Sequence, residues 1–420
     1  MSAFNAEIDG RSFAAMAERD AHLVAGSSAA GLAPPRAWVL PSWRAGDGAQ
    51  VMALAEALGW PFEVKRLRRH LVELLVAPPF RASVAGVVPE GSSPLEPPWP
   101  DLVLSSGREN EPVAQWIKKR SGGKAKLVHV GRPWGPIARY DLVVASRQYR
   151  LPTSANVLQN TAPLHGVNAD RIAQEAAAWA ERLAHLPRPL IAVLVGGSSG
   201  PYAFTRRSGE RLASAAGALA ARLGGSLLVT TSARTPKVGA EALAEGLSCP
   251  HVMHRWRRGA RDNPYLAFLG AADELIVTAD SMSMLAEACA TGKRVHLFDL
   301  GVGWTSMRAS LGLPGEDEPP ARPGLGVWLR DFSLRARLYR WLLRYGPKRI
   351  TRDIRLVHRH LIESGRVSWL GEPLPQRAAA PLGDLDRAVA SVRTLMAPSI
   401  QDATAGALWP SVPKLVGALP

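Results

Sequence analysis

Cysteine is nearly absent from this chain: Cys249 and Cys289 are the only two in 420 residues. They fall in different segments without metal-ligand spacing, which excludes a disulfide framework and a cysteine zinc site and points to a reducing cytoplasm. Nowhere do about eighteen uncharged apolar residues follow one another, and residues 1–35 lack a basic start leading into a long apolar run. Neither a membrane span nor a secretory leader is expected. H-E-x-x-H and a Ser-His-Asp signature are missing too, and His129 and His165 stand alone. Metal dependence is not indicated. Without G-x-x-x-x-G-K-[ST] or G-x-G-x-x-G, ATP hydrolysis and ordinary dinucleotide binding lose their usual signatures.

Acids are outnumbered, 36 Asp and Glu against 51 Lys and Arg, a net +15. The excess implies an anionic partner. Between residues 327 and 366 eleven Lys and Arg face three acids, a net +8, which is more than half of it. There Leu329, Phe332, Ala336, Tyr339 and Leu342 recur at three and four, flanked by Arg330, Arg335, Arg337, Arg340 and Arg344. That spacing predicts amphipathic helices, either packed across the domains with arginines in water or resting on an anionic membrane surface. Nucleic acid is not the expected partner, because this excess is helical and amphipathic and no binding module accompanies it.

The chain exceeds the size at which single cores stop growing, so two domains are expected. From Ala37 short apolar runs alternate with helical patterns: AWVL, a turn WRAGDG, a helix AQVMALAEALG, then DLVLSS, EPVAQWIKKRSG, KLVHV and DLVVAS. A second such round begins at Leu190. The pattern predicts an α/β fold with two parallel sheets covered on both faces. The expected divisions are a loose N-terminal extension (1–35), a first Rossmann-like domain (36–165), a linker helix (166–189), a second Rossmann-like domain (190–325), basic C-terminal helices (326–400) and a tail (401–420). Ligands of doubly wound sheets sit beyond the carboxyl ends of the strands, so two such halves would share one cleft.

Residues 274–300 are the most constrained stretch. A strand ending in Ile276 and Val277 leads to Asp280, a good N-cap, with Ser281 and Ser283 beside the bare amides of a new helix and Glu287 one turn on. Such a tip attracts phosphate, and Glu287, about 6 Å further along, suits ribose hydroxyls. A capped crossover helix without ligand is the alternative. Gly196, Gly197 and Ser198 end an apolar strand in a loop that can approach a phosphate closely, or that needs glycine for steric reasons alone. Arg234, after the strand SLLVTTSA, can meet the same phosphate. In the first half, Asp47 within Gly46-Asp47-Gly48 is a candidate base or a helix cap. The loop SSGRENEP offers Arg108 for an anion and Glu109 as an alternative base, or ordinary loop and cap residues.

These phrases, AGDGAQVMALAEALG, SSGRENEPVAQWIKKRSGGK, VGGSSGPYAFT, TTSARTP, NPYLAFLGAAD and TADSMSMLAEACATGKRV, resemble a family of bacterial glycosyltransferases that also includes the plant mitochondrial fission factor named for elongated mitochondria. The resemblance covers roughly residues 37–366. It implies a GT-B architecture, with two Rossmann-like domains facing a nucleotide-sugar cleft and C-terminal helices crossing back. It assigns Ser281, Ser283 and Glu287 to the nucleotide diphosphate, Gly196 and Gly197 to the loop opening the second domain, and matches Gln50 to a glutamine in the first; Gln50 and Arg108 are expected on the acceptor side. Where the family phrase reads G-x-E-N-Q, this chain has Gly46, Asp47, Gly48, Ala49 and Gln50. Asp47 sits as the catalytic aspartate does in heptosyltransferase-like GT-B enzymes.

The expectation is a metal-independent transferase without a cofactor. A nucleoside diphosphate sugar would be its co-substrate, and a glycan or lipid-linked acceptor its partner, at the cytoplasmic face of a membrane. A non-catalytic scaffold that recruits a partner to a membrane, and a nucleotide-sugar epimerase, are the rival expectations.

Overall fold

The computed structural model describes residues 34–69, 81–200, 202–260, 262–302, 306–308, 338, 341–343, 345–346, 351–373 and 382–397. The expected extension up to residue 33, the acidic proline-rich loop 314–323, most of the amphipathic stretch 327–350 and the tail 401–420 lie outside the described residues.

The first sheet is built from β1 (Ala37–Leu40), β2 (Phe62–Val64), β5 (Leu102–Ser106), β6 (Lys126–Val130), β7 (Leu142–Ser146) and β8 (Val157–Asn160). A two-stranded ribbon, β3 (Arg68–Arg69) and β4 (Val87–Val88), lies apart from it. The second sheet contains β9 (Leu190–Val195), β10 (Ser226–Thr231), β11 (His251–His254), β12 (Glu274–Thr278), β13 (Arg294–Phe298) and β14 (Val367–Trp369). Both are wholly parallel. Parallel strands covered by helices must be apolar on both sides, and AWVL and LIAVLV are buried at every position.

Strand order runs β2-β1-β5-β6-β7-β8 in the first sheet and β11-β10-β9-β12-β13-β14 in the second. The winding direction therefore reverses between β1 and β5, and again between β9 and β12. Loops leaving neighbouring strands diverge at such a point and open a crevice at the carboxyl edge. Covering helices are α1 (Ala45–Leu58), α2 (Glu111–Arg120), α3 (Ala169–Leu183), α4 (Arg206–Leu223), α5 (Lys237–Gly246), α6 (Tyr265–Ala271), α7 (Met282–Ala290), α8 (Arg355–Glu363) and α9 (Asp384–Met396). The helix α3 packs on the second domain, with Trp179 edge-on to Phe268 of α6 at 5.8 Å.

Beyond β13, Val357 and Leu361 of α8 and Val367 of β14 join the core of the second domain. The chain then crosses back. Ala388 and Val392 of α9 pack with Val51 and Leu54 of α1, and the Asp384 carboxylate accepts the Thr161 and Ala162 N–H groups at 3.1 and 2.9 Å. Among the described residues one C-terminal helix, α9, crosses back; the three-residue strand β14 is an addition to the helices expected in that region.

One local reading needs correction. The segment WRAGDG is not a turn preceding the helix, because α1 already begins at Ala45 and Asp47 and Gly48 donate their N–H groups to the Arg44 carbonyl at 3.0 and 2.9 Å. A side chain at Gly48 would place its Cβ 2.7 Å from the Ser42 carbonyl, so the glycine lets the helix start flush against the strand end.

Candidate active site

Both reversal points carry buried polar side chains. At the first, Ser42 follows β1, and its N–H reaches Ser106 Oγ at 3.0 Å while its hydroxyl donates to Glu109 Oε1 at 2.6 Å and accepts the Arg44 N–H at 3.2 Å. Asn110 clips the same two strand ends by donating to the carbonyls of Leu40, Pro41 and Ser106 at 3.1, 3.0 and 2.9 Å. Glu109 is thereby buried and held. Asp47 lies half-buried in the first turn of α1. Burial raises its pKa above the carboxylate norm against the opposing charges of Arg44 and Arg352, and nearby Glu109 adds to the rise. Tyr149, in the same group of charges, is pushed up to about 12 by burial first and Asp47 second.

At the second reversal point Gly196 and Gly197 are close-packed. A Cβ on Gly196 would lie 2.6 Å from Ser281 Cβ, and one on Gly197, whose φ is +132°, 2.2 Å from the Arg234 carbonyl. Steric need accounts for both glycines. The Gly196 N–H donates to Thr278 Oγ1 at 2.8 Å. Ser198 accepts the Phe204 N–H at 3.0 Å, so its hydroxyl closes its own loop.

Asp280 is not the cap of α7. Ser281 occupies that position, and the Asp280 carboxylate turns back to accept the Thr278 hydroxyl at 2.8 Å and to pair with Arg234 Nη2 at 3.2 Å. Neither Asp280 nor Ser281 gives the helix a side-chain cap, which leaves its first amides to other partners. Glu287 accepts a hydrogen bond from Tyr265 of α6, and burial raises its pKa while that hydroxyl lowers it.

The two points face one another. A Cβ on Gly46 would come 3.3 Å from Ser283 Oγ, so the N-terminal turns of α1 and α7 are in contact beside Asp47. Residues 351–353 strap the domains together there. Thr351 takes Arg132 on its carbonyl at 3.1 Å and Arg150 on its hydroxyl at 2.8 Å, the Asp353 N–H reaches the Gln148 carbonyl at 2.8 Å, and Arg352 donates to Ser199. His358 of α8 holds the loop before α7 by donating Nε2–H to the Ala279 carbonyl at 2.8 Å. Burial pushes its pKa down to about 4, so it does this as a neutral ring.

Of the residues singled out in the sequence, Asp47, Glu109, Gly196, Gly197, Ser198, Ser281, Ser283 and Glu287 lie at the two reversal points or on the helices that start there, and Arg234, on the loop after β10, reaches the second through Asp280. Gln50 bonds the Gly46 carbonyl of its own helix at 3.3 Å, and the Arg108 guanidinium rests 4.7 Å from the Trp134 ring. Ser42, Asn110, Tyr149, Arg352 and His358 belong to the same neighbourhood and carried no sequence signal beyond Asn110's place in SSGRENEP. Among the described residues, no group of three or more His, Cys, Asp or Glu could hold a metal ion, and no helix is long and apolar enough to cross a membrane.

Burial raises the Asp280 pKa to about 6, against the pull of Arg234 and the Thr278 hydroxyl. The folded chain thus holds this proton more tightly than the unfolded one. Its stabilising effect is complete below the ordinary value near 3.8 and is lost as pH rises to about 6. Comparing native protein with Asp280→Asn by urea denaturation at pH 4 and pH 7 should show the native chain losing about 2–3 kcal/mol relative to the variant over that interval. A difference independent of pH would contradict this placement of Asp280.

Two doubly wound parallel domains whose reversal points meet, with a C-terminal helix returning to the first domain, form a GT-B-type architecture. The chain belongs to the family described as Mitochondrial fission ELM1, whose sequence profile matches residues 45–312. The mitochondrial fission protein ELM1 of Arabidopsis thaliana is 26% identical over 240 residues, 52% of this chain, and an uncharacterized protein of Rickettsia prowazekii is 22% identical over 233 residues, 47% of it. These matches span 56% and 64% of the relatives' own lengths. Among solved structures, a glycosyltransferase from Rickettsia africae aligns with a TM-score of 0.44 at 14% identity, covering 87% of this chain and 100% of that one. A UDP-glucosyltransferase from Polygonum tinctorium aligns at 0.42 and 11%, covering 87% and 99%. Strand order, rather than these scores, defines the fold.

Proposed function

We propose that this chain is a metal-independent glycosyltransferase that moves a sugar from a nucleoside diphosphate donor to an acceptor hydroxyl, in envelope polysaccharide or lipopolysaccharide assembly. The observation that carries the reading is the meeting of the α1 and α7 N-terminal turns at Gly46 and Ser283, beside a carboxylate with a raised pKa. On this reading residues 36–165 hold the acceptor and 190–325 the donor, with 166–189 linking them and 326–400 crossing back. The uncapped amides of α7 with Ser281 and Ser283 bind the diphosphate and offset the charge that develops as it leaves. Asp47 accepts the acceptor proton, its raised pKa making it a stronger base than an exposed aspartate. Glu109, already engaged by Ser42, is the alternative base. Gly196, Gly197, Ser198 and Arg234 shape the phosphate wall, and Glu287 with Tyr265 lies one turn along α7, toward the ribose.

Calorimetric titration with UDP, GDP, CMP and ADP is the test. At least one should bind below millimolar concentration, and a screen with labelled donor sugars would then separate transfer from epimerisation. Absence of binding by all four at millimolar concentration sinks the enzymatic reading and favours the second one, a non-catalytic scaffold of the fission-factor type that recruits a partner to a membrane; the family's description suggests a fission factor.

Either reading places the chain at an anionic membrane surface. Supporting this, Leu338, Trp341 and Tyr345 are 56%, 56% and 65% exposed at spacings of three and four within the most basic part of the chain, while Leu343 faces inward. Aromatic and leucine side chains beside basic residues suit the lipid interface. In flotation assays the protein should rise with phosphatidylglycerol vesicles and not with phosphatidylcholine, and a Trp341→Ser, Tyr345→Ser double variant should stay below. Equal flotation of native protein and variant would contradict the assignment.

A further inference from the structure

Two tryptophan–arginine pairs stand at the carboxyl edge of the first sheet. Trp43, on the loop after β1, is 59% exposed, and the Arg44 guanidinium lies 5.4 Å from its ring. Trp134, on the loop after β6, is half-buried with the Arg108 guanidinium 4.7 Å from its ring. β1, β5 and β6 are consecutive in the sheet. Strands lie about 5 Å apart, so the two tryptophan loops leave the edge about 10 Å from each other, roughly the span of one sugar ring with its substituents. Glu109 leaves β5 between them, and Asp47 follows Arg44 by three residues.

Neither loop is free to wander. The Ser42 N–H is fixed to Ser106 Oγ at 3.0 Å, and the Trp134 and Gly135 N–H groups both donate to the buried carboxylate of Glu111, at 2.7 and 2.8 Å. Rigid presentation of an exposed indole has a chemical use, since an aromatic face receives the C–H face of a pyranose. Guanidinium groups prefer carboxylate and phosphate, which they meet through paired N–H donors, and holding them over a ring reduces the entropy lost on binding.

We propose that Trp43 with Arg44 and Arg108 with Trp134 form an acceptor subsite for a sugar that bears an anionic substituent, a phosphate or a carboxylate. The subsite rests on the glycosyltransferase reading and names its acceptor class. In the reaction, an acceptor hydroxyl gives its proton to Asp47 while its oxygen bonds to the donor's anomeric carbon. The bond from that carbon to the diphosphate oxygen breaks, its electron pair leaving with the nucleotide.

Calorimetry on the full chain with glucose 6-phosphate, glucuronic acid, methyl glucoside and inorganic phosphate tests it. At least one anionic sugar should bind about tenfold or more tightly than methyl glucoside and inorganic phosphate, and the ranking of the two tells phosphate from carboxylate. Trp43→Ala and Arg108→Gln should each weaken that sugar by about tenfold or more while the nucleoside diphosphate Kd stays within about twofold. The inference is overturned if methyl glucoside or inorganic phosphate binds as tightly, or if both variants keep native affinity. A chain that binds a nucleoside diphosphate but neither anionic sugar overturns the subsite alone. One that binds no nucleotide overturns the transferase reading, and the subsite with it.

Discussion

Replacing Asp47 by asparagine is expected to lower turnover by about 10²–10⁴, the usual worth of a positioned general base, while nucleoside diphosphate affinity stays within about threefold of native. The two measurements separate because Asp47 stands on α1, in the first domain, and the proposed diphosphate grip stands on α7. Folding should not suffer. Burial penalises the ionised Asp47 carboxylate, so a neutral amide there leaves the melting temperature unchanged or higher. The acid limb of the native rate profile should lie above the ordinary aspartate range, because the carboxylate must be ionised to accept a proton and its pKa is raised. Glu109→Gln should cost less, since Ser42 already donates to that carboxylate at 2.6 Å. If Asp47→Asn turned over at the native rate while Glu109→Gln did not, the two roles would be reversed.

The largest loss of stability is expected at Glu111, a residue without a place in the chemistry. Its carboxylate is fully buried and accepts from the Trp134 N–H at 2.7 Å, the Gly135 N–H at 2.8 Å and the Tyr140 hydroxyl at 2.8 Å. Burial raises its pKa and these three donors pull it back. Glu111→Ala strands all three donors away from water, at about 1–3 kcal/mol each, and a total near 3–5 kcal/mol is expected after relaxation. That is a large share of the 5–15 kcal/mol typical of a folded domain. Urea denaturation measures it. Glu111→Gln should lose about half as much, because one amide oxygen still accepts. A loss below about 1 kcal/mol for the alanine variant would mean that the loop carrying Trp134 is held by something other than this carboxylate.

Much of the fold was legible because parallel strands with helices on both faces must be apolar throughout, and runs such as LIAVLV cannot be mistaken for amphipathic ones. The strand β14 was not, since Val367–Trp369 offers only three residues, too few for any periodicity. In the site, spacing brought out the strand-to-helix turns at Gly196 and Asp280, and their loops do lie at the reversal point. It misassigned the Asp280 side chain, because a lone aspartate before a helix reads as a cap whether or not a threonine two residues back competes for it. The start of α1 was misplaced for a related reason: Gly46 and Gly48 read as turn residues, yet the second is required by the Ser42 carbonyl pressing on the helix. Arg352 and His358 could not be found from pattern at all. They act on Ser199 and Ala279 across 153 and 79 positions of sequence, and no local rule connects such pairs.

A structure of the chain grown with the tightest-binding nucleoside diphosphate tests the central claim most directly. The pyrophosphate should lie at the first turn of α7, accepting backbone N–H groups there and the hydroxyl of Ser281 or Ser283, with Asp47 across the gap from its outer phosphate. A nucleotide bound elsewhere, or a cleft between Gly46 and Ser283 that stays closed at saturating ligand, would contradict it.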